Sequence, residues 1–131
     1  MILVDMNAAL LASRADTLAA EDPARVTFRE LDVTDSDAVQ GLVNWVQDNE
    51  PALDILVNNA GITHRSLAEK TRMAVFRKVM AVDWQAPVEL AMGFLPLLKK
   101  SRGGIIHYGS MAGGEAGWGR AGDRGGERAF G

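Results

Sequence analysis

The chain has 131 residues, of which 47% are apolar and 24% are charged, and this composition is typical of one globular domain with a hydrophobic core. Its 14 Lys and Arg residues against 17 Asp and Glu residues give a net charge of −3, so no surface for nucleic acid is indicated. The absence of cysteine excludes disulfides and thiolate metal sites, and without a membrane-length apolar run or a signal-peptide pattern we expect a cytoplasmic protein.

Short apolar strands alternate with stretches of helical periodicity along most of the chain. Four strands are predicted, at residues 2–4, 26–30, 53–57 and 105–108. Three helices are predicted between them, at residues 8–19, 39–46 and 75–98. The apolar residues at helical spacing are Val39, Leu42, Val43 and Val46 in the second helix, and include Phe94 and Leu98 in the third. Thr34 and Asp37 resemble a capping box for the second helix, and the third contains Pro87 and Pro96. This order predicts an α/β fold with right-handed crossovers and a parallel, doubly wound sheet.

The third predicted strand and the turn after it form a candidate ligand site. Residues 53–57 form a mostly apolar run that predicts a buried strand, and Asn58-Asn59-Ala60-Gly61 ends it. Asn side chains bond nearby backbone groups and Gly tolerates positive φ, so a turn is expected here. Ligands of open α/β sheets bind beyond the carboxyl ends of the strands, which is where this turn lies. Taken alone, an ordinary turn explains the same residues.

A motif follows each predicted strand. In chain order these are Asp5, Asp32-Val33, Asn58-Asn59-Ala60-Gly61 and Gly109-Ser110-Met111-Ala112-Gly113. The ordered set resembles the short-chain dehydrogenase/reductase family, and the resemblance extends from residue 1 to about residue 122. It implies a partial dinucleotide-binding domain over residues 1–122, with a Rossmann-type sheet whose first strand and C-terminal part are missing.

The resemblance implies three groups of cofactor-binding residues. Asp5 matches the acid that accepts hydrogen bonds from the adenosine ribose; its charge would repel a 2′-phosphate, which favours NAD over NADP. A helix N-cap is an alternative role for Asp5. Asp32 and Val33 match the pair that holds the adenine, although a solvated loop acid would also explain Asp32. The turn at residues 58–61 would lie along the cofactor.

Two residues match catalytic positions of the family. Ser110 matches the serine that hydrogen-bonds the substrate carbonyl and the developing alkoxide, and a serine capping a turn is the alternative. Asp83 stands where the family has an Asn whose backbone carbonyl holds a water of the proton relay. Pro87 has no N–H, so it would leave this carbonyl free, although an ordinary proline kink would also explain it. His64 and His107 are not at a metal-ligand spacing, and no metal site is expected.

The sequence also departs from the family pattern. The family's glycine-rich phosphate loop precedes the strand at residues 2–4 and is not found here; its strand would lie between those at 2–4 and 53–57. We therefore expect the chain alone to be poorly stable or rearranged. The family's Tyr and Lys would fall at Asp123 and Glu127. Residues 123–131 are explained either by a one-base shift of reading frame or by a glycine-rich disordered tail.

Two functions remain open. In the first, the parent protein is an NAD-dependent oxidoreductase that moves hydride between the nicotinamide and a small alcohol or carbonyl substrate, and this chain is an inactive fragment of it. In the second, the chain is a non-catalytic nucleotide-binding or interaction protein. A flavodoxin-like domain would explain the strand–helix alternation but not Asp32-Val33 or the serine motif. The resemblance also implies a homo-oligomer that pairs through the long helix.

Overall fold

A computed structural model of the chain describes residues 1–21, 26–64 and 66–109. The strands are β1 (Ile2–Asp5), β2 (Thr27–Glu30), β3 (Ile55–Asn58) and β4 (Gly104–His107). The helices are α1 (Ala8–Glu21), α2 (Ser36–Asn49), α3 (Met73–Met80) and α4 (Ala86–Ser101); a π-helical segment, Ala81–Gln85, joins the last two, and a short 3₁₀ turn covers Ala68–Lys70. None of the described helices combines the length and the apolar character that crossing a bilayer requires.

The four strands form two separate parallel pairs. In the first, β1 lies beside β2 with Ile2 opposite Thr27; in the second, β3 lies beside β4 with Ile55 opposite Gly104. Within the described residues no backbone hydrogen bond joins one pair to the other. The α/β class and the parallel pairing are as predicted. The interruption falls between the β1–β2 pair and the β3–β4 pair, where the family resemblance led us to expect a gap.

One hydrophobic core holds the two pairs together through α2 and α4. Its buried members are Leu42, Val43, Val46, Phe94, Leu97 and Leu98. Ile2 and Val4 from the first pair and Leu56 from the second pack against these helices. A Cβ atom built on Gly93 of α4 would lie 2.6 Å from Val43 Cγ2, so the two helices approach closely at this glycine. The shared helix layer, rather than a continuous backbone ladder, therefore connects the two strand pairs.

The prediction of a buried third strand is wrong. Ile55 and Val57 are 56% and 50% exposed, because β3 packs on the helices only through the face that carries Leu56. Ile106 of β4 lies opposite Val57 and is 46% exposed on the same open face. An apolar run shows that a strand has two apolar faces, but not that both faces are covered.

The predicted capping box of α2 is also wrong. The N-cap is Asp35, whose carboxylate oxygen Oδ1 accepts hydrogen bonds from the N–H groups of Asp37 and Ala38, both at 3.1 Å. Thr34 instead donates its hydroxyl and its N–H to Asp32. Asp35, which is one residue closer to the helix than Thr34, therefore accepts the hydrogen bonds of the free N–H groups in the first turn.

We expect Asp35→Ala to lower the free energy of unfolding by about 1 kcal/mol, because the N–H groups of Asp37 and Ala38 lose their acceptor. Asp35→Asn keeps a side-chain oxygen at the cap and serves as the control. Urea denaturation followed by circular dichroism measures both variants. An equal loss in the two variants would show that the charge of Asp35, and not the cap, stabilises the helix.

Candidate functional site

The parallel pairing places the carboxyl ends of the strands in each pair at one edge. Asp5 at the end of β1 lies opposite Glu30 at the end of β2, and the N–H of Leu31 donates to the Asp5 carbonyl at 3.0 Å. In the second pair Asn58 lies opposite His107, and the N–H of Tyr108 donates to the Asn58 carbonyl at 3.0 Å. The predicted site residues near Asp5, Asp32 and Asn58 therefore all follow strand ends of the same polarity.

Asp5 and the N-cap of α1 are different residues in the structure. Asp5 Oδ1 accepts a hydrogen bond from the N–H of Asn7 at 2.8 Å, which shapes the turn from β1 into α1. The N-cap of α1 is Asn7, whose Oδ1 accepts from the N–H of Leu10 at 3.0 Å. The N-cap alternative for Asp5 is therefore wrong. Its second carboxylate oxygen has no hydrogen bond to the described residues and is open to a ligand.

Asp32 is held in a defined position, although its side chain is exposed. Its Oδ1 accepts hydrogen bonds from the N–H of Thr34 at 2.9 Å and from Thr34 Oγ1 at 2.7 Å. These bonds, the backbone one foremost, lower the pKa of the Asp32 carboxyl below its ordinary value, with a smaller contribution from the charge of Lys78. The N–H of the next residue, Val33, has no partner in the described part of the chain. The fixed carboxylate of Asp32 and the free backbone N–H of Val33 thus belong to consecutive residues.

Asn58 is the buried polar residue of the site. It is 6% exposed, and its Nδ2 donates to the carbonyl oxygen of Pro87 at 3.4 Å. Its Oδ1 is buried and has no hydrogen-bond partner among the described residues. Leaving a buried acceptor unpaired costs about 1–3 kcal/mol, so the position favours the arrival of a donor from a ligand, water or another segment.

The rest of the predicted turn is open to solvent. Asn59, Ala60 and Gly61 are exposed at the end of β3. The φ of Gly61 lies outside the left-handed region, so the turn does not need the conformational freedom of glycine there. A Cβ atom built on Gly61 would lie 3.7 Å from Asp83 Oδ1, an ordinary contact distance, so the turn passes directly beside that carboxylate.

Asp83 lies in the middle of the π segment that interrupts the long helix. The N–H of Ala86 donates to the Ala81 carbonyl, five residues earlier, in place of the usual α-helical bond. Pro87 follows and cannot donate the bond that an α-helix would direct to the Asp83 carbonyl. Such π turns are rare and occur frequently at functional sites, which supports the selection of Asp83 as a site residue.

The contact that the Asp83 side chain makes was not predicted from the sequence. Its Oδ1 accepts a hydrogen bond from the N–H of Ile62 at 2.9 Å in a partly buried position. The carboxylate therefore ties the end of the turn at residues 58–61 to the long helix. The sequence shows only that Asp83 is an acid within a predicted helix and that a turn precedes this helix. These features do not identify Ile62 as the donor.

We expect Asp83→Ala to increase the rate of amide hydrogen exchange at Ile62 by about tenfold to a hundredfold, because a hydrogen bond to a charged group contributes about 1.5–3 kcal/mol. Asp83→Asn retains an oxygen that accepts the same bond and should leave the rate within a few-fold of the original. Exchange measured by NMR tests both variants. Equal protection of Ile62 in the alanine variant would contradict the contact.

Several predicted residues lie outside the described part of the chain. These are the catalytic candidate Ser110, the positions 123 and 127, and the whole segment 123–131. The role of Ser110 and the division of the chain at residue 122 therefore stay predictions. Among the described residues, no three His, Cys, Asp or Glu side chains are placed to hold a metal ion.

Comparison with known proteins identifies the family that has this arrangement of residues. A family model described as short chain dehydrogenase matches residues 1–121. The chain belongs to the short-chain dehydrogenase family. The resemblance that the motifs indicated is thereby confirmed, and the family to which the chain belongs is one of NAD(P)-dependent oxidoreductases.

Individual dehydrogenases of this family show the same relationship. The chain is 33% identical over 102 residues to mouse estradiol 17-beta-dehydrogenase 2, an alignment that covers 76% of the chain and 27% of the relative. It is 32% identical over 107 residues to meso-2,3-butanediol dehydrogenase of Serratia marcescens, which covers 81% of the chain and 43% of that enzyme. The chain thus spans less than half the length of these relatives.

Two solved structures have the same fold as this chain. A short-chain dehydrogenase from Streptomyces avermitilis matches with a TM-score of 0.86 at 25% identity, covering 98% of this chain and 46% of that one. An alcohol dehydrogenase from the archaeon Thermococcus sibiricus, complexed with 5-hydroxy-NADP, matches with a TM-score of 0.90 at 21% identity, covering 98% and 55%. These similarities confirm the Rossmann-type α/β fold predicted from the sequence.

Proposed function

We propose that this dehydrogenase chain binds the adenosine end of NAD(H), in preference to NADP(H), at the carboxyl ends of β1 and β2. The observation that carries the proposal is the Asp5 carboxylate, which keeps one oxygen uncommitted at the end of β1. A ribose diol can donate hydrogen bonds to this oxygen, whereas a 2′-phosphate would meet a negative charge. The lowered pKa of Asp32 keeps a second negative charge in the next loop.

The residues present fit the adenosine half of the cofactor. The Asp32 carboxylate and the free N–H of Val33 offer the acceptor and donor that an adenine edge needs. The unpaired Oδ1 of Asn58 offers a further acceptor at the end of β3, beside the exposed turn that ends at Gly61. When bound, the nicotinamide ring supplies the hydride chemistry of the reaction.

For the parent protein we propose hydride transfer between the nicotinamide and the carbon of a small alcohol or carbonyl compound. Ser110 would orient the substrate oxygen and stabilise its negative charge. Asp83 would hold the adjoining turn through Ile62 and present its backbone carbonyl to a relay water. Asp123 and Glu127 supply neither a phenol nor an ammonium group for proton transfer, so we propose that this chain binds cofactor without turning over substrate.

Titration of the 131-residue chain with NADH and with NADPH tests the proposed cofactor preference. We expect NADH to bind at least about tenfold more tightly, a difference of 1.4 kcal/mol. In Asp5→Ser the preference should fall to about onefold, because the repelling charge is gone. Asp54→Ser removes an exposed acid just before the amino end of β3 and serves as the matched control. Equal affinity for both cofactors in the unchanged chain would contradict the proposal.

The second candidate, a non-catalytic nucleotide-binding or interaction protein, is favoured for this polypeptide by the residues at positions 123 and 127. Oxidation of NADH in the presence of a panel of aldehydes and ketones tests whether this chain has any catalytic activity of its own. Turnover by the chain would reject the non-catalytic alternative. Cofactor binding without turnover agrees with both candidates, whereas failure to bind either NADH or NADPH would leave only the interaction protein.

We also propose a cytoplasmic location, which cell fractionation tests.

We also propose that two copies pair through the long helix. Two apolar side chains lie about two helical turns apart on its exposed side: Met92 is 71% exposed and Trp84 36%. We expect Met92→Asp to shift the chain from dimer to monomer in size-exclusion chromatography with light scattering, because it places a charge on this exposed side. Met73→Asp, at a residue of α3 that is 60% exposed, is the control and should leave the oligomeric state unchanged.

A further inference from the structure

A recess lies at the opposite ends of the strands from the proposed cofactor site. It is formed where α4 ends and β4 begins, and its volume is about 360 Å³. Its lining residues are Leu95, Leu98, Lys99, Arg102, Gly103 and Ile105. The carboxyl-edge residues Asp5, Asp32 and Asn58 do not contribute to it, so it is separate from the site described above.

The floor of the recess is apolar. Leu98 is 4% exposed and belongs to the hydrophobic core, while Leu95 and Ile105 are 43% and 46% exposed at its sides. The recess has a volume of about 360 Å³ and is shallow and open to solvent, so a ligand would lie along its surface rather than be enclosed. An alkyl chain of moderate length therefore suits both the size and the surface of the recess.

The rim of the recess is cationic. Lys99 and Arg102 line it, and neither forms an ion pair with the described residues. Arg102 has φ 57° and ψ 38°, a left-handed conformation that glycine usually adopts at the end of a helix. A non-glycine residue in this conformation is strained, and strain of this kind motivates a hypothesis of function.

We propose that this recess binds a medium-chain carboxylate, an amphipathic anion. Its carboxylate would lie between the Lys99 ammonium and the Arg102 guanidinium, and its alkyl chain would cover Leu95, Leu98 and Ile105. Guanidinium groups bind carboxylates through paired, charge-assisted hydrogen bonds, and apolar burial adds to the attraction. A structural alternative is that these cations only stabilise the carboxyl end of α4, but that role applies equally to Lys100, which does not line the recess.

The test uses the full 131-residue chain and sodium decanoate below its micelle concentration, followed by two-dimensional NMR. We expect saturable shifts of the Leu95, Gly103 and Ile105 amides. Arg102→Gly keeps the left-handed turn while removing the cation, and it should weaken binding by about tenfold, as the loss of a charge-assisted bond predicts. Lys100→Gln is the matched control and should change the affinity by less than twofold.

Four further measurements test the proposal. Decanol binding as tightly as decanoate would overturn the role of the cations, and so would equal losses in Arg102→Gly and Lys100→Gln. Sedimentation with vesicles of anionic phospholipid, without any response to decanoate, would assign the cations to a membrane surface and overturn the proposal. Thermal melting of Arg102→Gly at an unchanged or higher temperature verifies that its fold is intact. NADH affinity should not change in this variant, which separates this inference from the proposed cofactor site.

Discussion

Replacing Leu97 with alanine is expected to lower the free energy of unfolding by about 2–5 kcal/mol. Leu97 is 2% exposed and lies in the core between α2 and α4. The substitution removes buried methyl groups and leaves a cavity in the core that also contains Val46 and Phe94. This cavity cannot collapse fully because the helices are packed on the strand pairs. Domains of this size have total stabilities of about 5–15 kcal/mol, so the loss is a large fraction of the whole.

Leu95→Ala is the matched control for Leu97→Ala. It removes the same atoms from the same helix, but Leu95 is 43% exposed, so we expect a loss below about 1 kcal/mol. Urea denaturation followed by tryptophan fluorescence compares the two variants. If the transition of the chain is too broad to fit, hydrogen exchange of the α4 amides supplies the same comparison. Equal effects would mean that α4 does not pack on α2 and the strands through its Leu97 face.

The contrast between these two leucines shows what helical periodicity can predict. The sequence pattern selected Val39, Leu42, Val43 and Val46 as the apolar face of α2, and all four are buried. On the long helix it selected Phe94 and Leu98, which are buried, but it passed over Leu97, which is among the most deeply buried side chains. Helical periodicity predicts the centre of the apolar face of a helix. The width of the buried face depends on how many other helices and strands pack around it.

The site residues show a similar division. Asp5, Asp32 and Asn58 were predicted from their positions after strands, and parallel pairing alone brings such residues to one edge. The hydrogen bond from Ile62 to Asp83 spans 21 residues and depends on how the helix is placed over the turn, which no local pattern specifies. The exposed face of Ile55 and Val57 was likewise unpredictable, because exposure depends on what covers a strand.

Replacing Gly103 with alanine is the second large effect that we expect, with a loss of about 1–3 kcal/mol in the free energy of unfolding. A Cβ atom built at this position would collide with the carbonyl oxygen of Asp54 and lie 2.7 Å from that of Leu53. Both are backbone atoms, so no side-chain rotation can relieve the collision. The constraint is steric, since the φ of Gly103 is outside the left-handed region.

The collision would also disturb the hydrogen bonds that fasten α4 and β4 to the segment before β3. Ser101 Oγ donates to the Leu53 carbonyl at 2.6 Å, and the N–H of Gly104 donates to the Asp54 carbonyl at 2.9 Å. Moving either carbonyl away from an added methyl group lengthens these bonds. We therefore expect faster amide exchange at Gly104 in the Gly103→Ala variant, together with the global loss of stability.

Gly104→Ala provides the neighbouring control, because no atom lies within 4 Å of a Cβ built there. We expect its free energy of unfolding to stay within about 0.5 kcal/mol of the original or to rise slightly, since alanine restricts the unfolded chain more than glycine does. The two variants add the same methyl group at adjacent positions, so their difference isolates the close approach of Gly103 to the carbonyls of Leu53 and Asp54. Indistinguishable denaturation curves would place the end of α4 farther from the start of β3 than this structure does.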